Sequence, residues 1–199
     1  MFGLTERFDA DRAKLLDAIT NYDVYGHLKH LGAMPPYVTS ANLDEWKSVN
    51  GLWQAKTNKI GKDFIPAVTP GFNDTAVREG HEPTSRKLNG DSGQFGSLFS
   101  GLLDRAKSNA DRNMIMVTSW NEWYEDTQIE PTAVAPPTNV DDSATGHNFT
   151  RDLYYNGYGT LYLDILRDKT ALSAPPGSTV KTDADFNSPA RSAREQPSR

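Results

Sequence analysis

An amphipathic helix followed closely by an apolar strand is the feature that most constrains the fold of this chain. The helical pattern covers residues 95–106, where apolar side chains recur at intervals of three and four: Phe95, Leu98, Phe99, Leu102, Leu103 and Ala106. Residues 114–118 read Met-Ile-Met-Val-Thr, a continuous apolar run that predicts a strand with helices covering both faces. Strands of this kind are typical of parallel sheets.

The alternation of strand and helix extends along most of the chain. Strands are predicted at residues 17–22 and 62–69, and helices at residues 5–16, 42–53 and 154–167. Asn42, three residues before Glu45, is the predicted cap of the second helix. Repeated strand–helix units indicate an α/β fold with right-handed crossovers, either an open doubly wound sheet or a (β/α) barrel. No Gly-rich phosphate-binding sequence follows a predicted strand, which weakens the nucleotide-binding open sheet.

Composition excludes several classes of partner. With 21 Lys and Arg against 26 Asp and Glu, the net charge of −5 gives no electrostatic reason to expect nucleic acid or an anionic membrane. The chain has no Cys, so thiol catalysis and thiolate metal sites are excluded. No apolar run approaches the ~20 residues of a membrane helix. The His residues, among them His27 and His81, show no metal spacing and are predicted at the surface.

The stretch that carries chemistry lies just past the predicted strand at residues 114–118. Residues 118–131 read Thr-Ser-Trp-Asn-Glu-Trp-Tyr-Glu-Asp-Thr-Gln-Ile-Glu-Pro, at the strand end where parallel α/β proteins collect ligands. In an extended strand Glu122 and Glu125 point to opposite faces, so they share a pocket only if the chain turns between them. Such a turn brings them near the ~5 Å carboxyl separation of retaining glycosidases. Trp120 and Trp123 then offer apolar faces to sugar rings.

A solvated acidic loop, with its Trp residues packed on the rim of the sheet, fits the same composition equally well. The sequence pattern favours neither interpretation by itself.

The acidic stretch closely resembles the signature of glycoside hydrolase family 99, the endo-α-mannosidases, and of related bacterial glycan-processing proteins. A second similarity covers residues 64–78, which read Phe-Ile-Pro-Ala-Val-Thr-Pro-Gly-Phe-Asn-Asp-Thr-Ala-Val-Arg. The spacing of Tyr158 and Tyr162 in the last predicted helix is also similar to the closing helix of the family. The resemblance extends over about residues 17–167.

The resemblance implies a (β/α)8 barrel of TIM type and a retaining, endo-acting hydrolase that cleaves α-mannosidic linkages in glycans. By motif position, Glu122 is the base that deprotonates the sugar 2-hydroxyl, and Glu125 is the acid/base that protonates the leaving oxygen. The substrate-binding residues that the resemblance and the sequence predict are Asn121, Trp120, Trp123, Tyr22, Asp74 and Arg78. The expected partner is an oligosaccharide or glycan, and neither a metal nor another cofactor is expected.

Two residues depart from the family pattern inside the acidic stretch. Asp126 follows the second Glu where the family usually has Gly, and Tyr124 replaces a frequent His. Because Asp tolerates a left-handed backbone better than most residues, we expect the turn to survive.

The length of 199 residues also departs from the family, since a (β/α)8 barrel takes ~250 residues. We expect residues 1–170 to be the C-terminal portion of the catalytic barrel, from a truncated gene product or from a half-barrel that needs a partner, with truncation favoured. Residues 171–199, rich in Ser, Pro, Ala, Asp and Arg, are predicted to be a disordered tail. A missing N-terminus that carries a signal would place the protein in the secretory pathway or outside the cell. The alternatives are a non-catalytic carbohydrate-binding remnant and a chain that does not fold alone.

Overall fold

The computed structural model of the protein describes residues 8–30, 37–75, 78, 80–89, 94–134 and 157–170. The helices are α1 Ala10–Ala13, α2 Val24–His30, α3 Ser40–Lys59, α4 Ser97–Ala106 and α5 Leu161–Thr170. The strands are β1 Ala18–Thr20, β2 Asp63–Ile65, β3 Ala67–Val68 and β4 Met116–Val117. Two 3-10 turns, Lys107–Asn109 and Asp111–Asn113, connect α4 to β4. The predicted tail, residues 171–199, and the start of the last predicted helix, residues 154–156, lie outside the described residues.

The strands pair in parallel, which confirms the α/β prediction. β1 pairs with β2, so that Ile19 lies opposite Phe64, and β3 pairs with β4, so that Val68 lies opposite Val117. The predicted strand at residues 62–69 is two strands, because Pro66 lacks the N–H that a continuous ladder needs. The barrel itself stays a prediction, since the described strands form two separate two-stranded sheets.

Helix α3 begins earlier than predicted. Its N-cap is Thr39, whose hydroxyl accepts the Asn42 N–H at 3.2 Å, while the Asn42 side chain accepts the Thr39 N–H at 3.0 Å. Asn42 is therefore the third helical residue of a capping box and is not the cap. The helix buries one stripe of side chains at helical spacing: Leu43, Trp46, Asn50, Trp53 and Thr57.

The core is built mainly by α3, α4 and α5 packed over β3. Helix α4 buries Leu98, Phe99, Leu102, Leu103 and Ala106, which confirms the predicted stripe except at its first member. Phe95 is 42% exposed because it lies before the helix. The chain turns at Gly96, the N-cap of α4, which has a left-handed φ of 85°. A second cluster joins Ile19 and Phe64 to Ala13 and Trp53.

One face of β4 is open to solvent. Met114 and Met116 are 42% and 40% exposed, so the prediction that helices cover both faces of this strand is wrong for the part of the chain that the structure describes. The apolar run packs only its other face, through Ile115 and Val117, against the main core. In the described ranges, none of the helices combines the length and the apolar character needed to cross a bilayer.

Candidate active site

A cavity of about 410 Å³ lies where the carboxyl ends of the strands converge. The segment after β1 supplies residues from Tyr22 to Gly26, the segment after β3 supplies Thr69 and Phe72, and the segment after β4 supplies Thr118, Glu125 and Thr127. Arg78 and His81 complete the described wall. The structure thus places the acidic stretch at the strand ends, where ligands collect in parallel α/β folds.

The chain turns between the two glutamates. The Asp126 N–H donates to the Trp123 carbonyl at 3.2 Å, and the Thr127 N–H donates to the Glu122 carbonyl at 3.2 Å. Asp126 has φ 47°, the left-handed backbone that the sequence predicted at this position. The turn meets the condition under which Glu122 and Glu125 can point to one side.

Ser119 closes the base of this turn. Its hydroxyl accepts the Glu122 N–H at 2.9 Å and lies 2.9 Å from the Thr127 hydroxyl. Its N–H donates to the Thr127 carbonyl at 2.8 Å. The backbone that carries Glu122 is therefore held by the second residue after β4.

Glu125 is the glutamate on the cavity wall, with 31% of its side chain exposed. Its carboxylate oxygen Oε1 lies 3.4 Å from Arg78 Nη1. Its carbonyl accepts the Asn73 N–H at 2.8 Å, which ties the turn to the segment that follows β3. A half-buried carboxyl group beside a fixed cation has a defined direction, as a proton donor or acceptor needs.

Asp74 lies behind the cavity wall and binds Arg78 and His81, which line it. It is fully buried, and its two carboxylate oxygens bind separate partners: Oδ2 accepts from Arg78 Nη1, and Oδ1 lies 2.7 Å from His81 Nδ1. The hydrogen bond to Asp74, followed by the charge of Asp74, raises the pKa of Arg78 above its ordinary value. Arg78 is therefore a permanent cation placed between Asp74 and Glu125.

Of the residues predicted from sequence, the structure brings Tyr22, Arg78 and Glu125 together on the cavity wall. Asp74 lies behind that wall, in contact with Arg78 and His81. Trp120 is 51% exposed, Asn121 is exposed, and Glu122 and Trp123 are half-buried. These four residues are not among the described residues that line the cavity.

Sequence reasoning missed three aromatic residues of the wall. Tyr25 and Phe72 stack with ring centroids 4.0 Å apart and planes 11° apart, and His81 meets both rings edge-on. The Tyr25 hydroxyl donates to the Glu82 carbonyl at 2.8 Å. For Phe72 a signal was available, because an aromatic residue follows Pro-Gly at a strand end.

The prediction of surface histidines is wrong for His27 and incomplete for His81. His27 is buried in α2, and burial, with a smaller effect of His30, lowers its pKa from 6.5 to about 4. His81 is half-buried by its contact with Asp74. Within the described ranges, no group of three His, Asp or Glu side chains is arranged to hold a metal ion.

Comparison with known proteins identifies relatives of the chain. It is 40% identical over 95 residues to a glycoprotein endo-alpha-1,2-mannosidase of Rattus norvegicus, a match that covers 47% of this chain and 18% of the rat protein. It is 35% identical over 86 residues to a glycoprotein endo-alpha-1,2-mannosidase-like protein of Danio rerio, covering 43% of this chain and 17% of that protein. The matched segments thus span about a fifth of these relatives.

Solved structures resemble the chain more weakly. The GH99 endo-alpha-mannosidase of Bacteroides thetaiotaomicron aligns with a TM-score of 0.38 and 22% identity, over 77% of this chain and 39% of that one. A glycoside hydrolase-like protein aligns with a TM-score of 0.49 and 16% identity, over 79% and 38%. The profile of glycosyl hydrolase family 99, in contrast, matches residues 15–164. Since this match covers most of the 199 residues of the chain, the chain belongs to glycosyl hydrolase family 99.

Proposed function

We propose that the protein is a retaining, endo-acting glycoside hydrolase that cleaves α-mannosidic linkages in glycans. The observation that carries this proposal is the turn at residues 122–127, which places Glu125 on the wall of a strand-end cavity beside Arg78. The names of the rat and zebrafish relatives point to the same linkage class.

Glu122 is the proposed base and Glu125 the proposed acid. The Glu122 carboxylate takes the proton of the sugar 2-hydroxyl, and the freed oxygen attacks C1 to form a 1,2-anhydro sugar. As the bond between C1 and the leaving oxygen breaks, Glu125 gives its proton to that oxygen. Glu125 then takes a proton from water, and the water oxygen attacks C1 and opens the three-membered anhydro ring. The 2-oxygen regains its proton from Glu122 in this step. Two inversions at C1 give net retention.

The remaining predicted residues have supporting roles in this proposal. Arg78 and Tyr22 line the cavity and bind sugar hydroxyls, with Arg78 suited to two neighbouring oxygens. Asp74 acts through Arg78, which it holds in place. The exposed Trp120, with Asn121 and Trp123, extends the sugar contacts from the outer side of the turn.

The test is turnover of a reducing-end-labelled α-linked mannotetraose by the full chain, followed by mass spectrometry and by NMR of the product anomer. We expect internal cleavage with retained configuration in the wild type. Glu122→Gln and Glu125→Gln each lower the rate at least about 1,000-fold because each removes one proton transfer. Glu45→Gln, the same change on the exposed face of α3, is the matched control and leaves the rate unchanged.

Two outcomes would contradict the proposal. Turnover that survives either Glu→Gln change would refute the roles of the two residues. Binding of the mannotetraose without turnover, unaffected by Glu125→Gln, would instead support the carbohydrate-binding alternative.

A further inference from the structure

Arg86 is a buried cation beneath the turn that carries the glutamates. Only 3% of its side chain is exposed. Its backbone is fixed on both sides: two residues earlier, Thr84 exchanges two hydrogen bonds with Phe72, and the Arg86 carbonyl accepts the Gly96 N–H at 3.1 Å where α4 begins. The backbone from which the Arg86 side chain extends is therefore held in place.

The guanidinium of Arg86 binds the residues that follow Glu125. Nη2 donates to the Asp126 carbonyl at 2.8 Å and to the Asp126 carboxylate at 2.9 Å, and Nη1 donates to the Gln128 carbonyl at 3.1 Å. Buried carbonyls need donors, and here one side chain serves two of them. The fork of a guanidinium suits this task, whereas an ammonium group is a point charge.

The guanidinium also packs against the rings of two tyrosines of the C-terminal segment. Its carbon lies 4.6 Å from the ring centre of Tyr158 and 4.7 Å from that of Tyr162. Burial acts to lower the pKa of Arg86, but the charge of Asp126, the two tyrosines and the hydrogen bond to Asp126 together outweigh that effect, so the pKa lies above its ordinary value. The cation is thus permanent and has little freedom to move.

We propose that Arg86 is a positioning residue that fixes the direction of Glu125 by holding the backbone of Asp126 and Gln128. Glu125 is then fixed from two sides, by the Asn73 N–H on its own carbonyl and by Arg86 on the next one. This role in catalysis rests on the proposed function of Glu125, while the hold on the backbone can be tested without it.

The experiment compares Arg86→Met and Arg86→Lys with the wild type in the full chain. Hydrogen exchange is followed in peptides covering residues 118–130, and kcat/KM is measured on the labelled mannotetraose. We expect Arg86→Met to accelerate exchange at residues 126–129 about 100-fold and to lower kcat/KM about 100-fold, because a misplacement of about 1 Å has that effect. Arg86→Lys recovers about a tenth of the lost activity, since it keeps the charge but not the fork.

Arg105→Met is the matched control. Arg105 also bridges two elements, binding Asp44 at 2.8 Å and Ser40 at 3.0 Å from α4, but it contacts no part of the turn. We expect this control to leave exchange at residues 118–130 and kcat/KM within about twofold of the wild type.

The outcomes separate the two proposals. Unchanged exchange at residues 126–129 in Arg86→Met, or exchange that rises equally in α3, would overturn the positioning role. An inactive wild type would overturn the proposed function, and the exchange comparison would still decide the role of Arg86. If Arg86→Met does not fold, Arg86→Lys against Arg105→Lys makes the same comparison.

Discussion

Gly71→Ala tests how tightly the segment after β3 packs against Arg86. Gly71 is buried, and a Cβ placed on it would lie 2.5 Å from Arg86 Cγ and 3.2 Å from the Thr84 carbonyl oxygen. An ordinary contact begins at 3.4 Å, so Arg86 Cγ must retreat by 3.4 − 2.5 = 0.9 Å. The far end of Arg86 packs against two tyrosine rings and only 3% of the side chain is exposed, so it has little open space to take up this shift.

The magnitude follows from what the shift breaks. A retreat of this size lengthens the 3.1 Å bond to the Gln128 carbonyl beyond hydrogen-bonding distance. Overpacking costs about 1–3 kcal/mol, and a lost bond from a charged donor costs about 1.5–3 kcal/mol. Because the structure relaxes in part, we expect the free energy of unfolding to fall by about 3 kcal/mol.

The assay is urea unfolding, together with hydrogen exchange at residues 118–130. Gly61→Ala is the control: Gly61 has φ 73° and no atom within 4 Å of a Cβ, so that change strains only the backbone and costs about 1–2 kcal/mol. The control should not accelerate exchange in the turn. If Gly71→Ala stays within about 0.5 kcal/mol of the wild type and exchange in the turn is unchanged, the reasoning is refuted.

Two further predictions concern stability. Thr39→Ala should lower the free energy of unfolding by about 1 kcal/mol, because it removes the hydroxyl that accepts the Asn42 N–H. Urea unfolding measures this loss, with Ser48→Ala at an exposed position of the same helix as the control. An equal loss in both variants would contradict the prediction. His27, with its pKa lowered from 6.5 to about 4, is neutral when folded and protonated when unfolded between these values. Stability should therefore be full above pH 6.5 and fall by about 3 kcal/mol as the pH drops towards 4. His27→Gln should flatten this fall in urea unfolding; an unchanged slope would refute the assignment.

The sequence predicted those features of the fold that depend on residues close together in the chain. The stripe of α4 follows from apolar spacing alone. The left-handed Asp126 follows from the tolerance of one residue type. The split of the second predicted strand also had a local signal, Pro66, which outweighs the apolar residues on either side of it.

The cavity depends instead on contacts between residues distant in the chain. Asp74 is bound by His81, seven residues away, and Arg86 is bound to Asp126, 40 residues away. The apolar residues around His27 did not distinguish a buried imidazole from an exposed one. Spacing cannot specify which polar side chain finds a partner in the core, because the partner is set by how the chain folds back on itself.

The contacts of the turn explain why the two most informative stretches of this sequence belong together. Gly71, in the first stretch, leaves the space that Arg86 Cγ occupies. Arg86 in turn binds the Asp126 carbonyl, in the second stretch, and Asn73 donates directly to the Glu125 carbonyl. A change in either stretch that moves its backbone must therefore move the other. The position of Glu125 therefore depends on a glycine 54 positions earlier (125 − 71 = 54), through Arg86, as well as on its own neighbours.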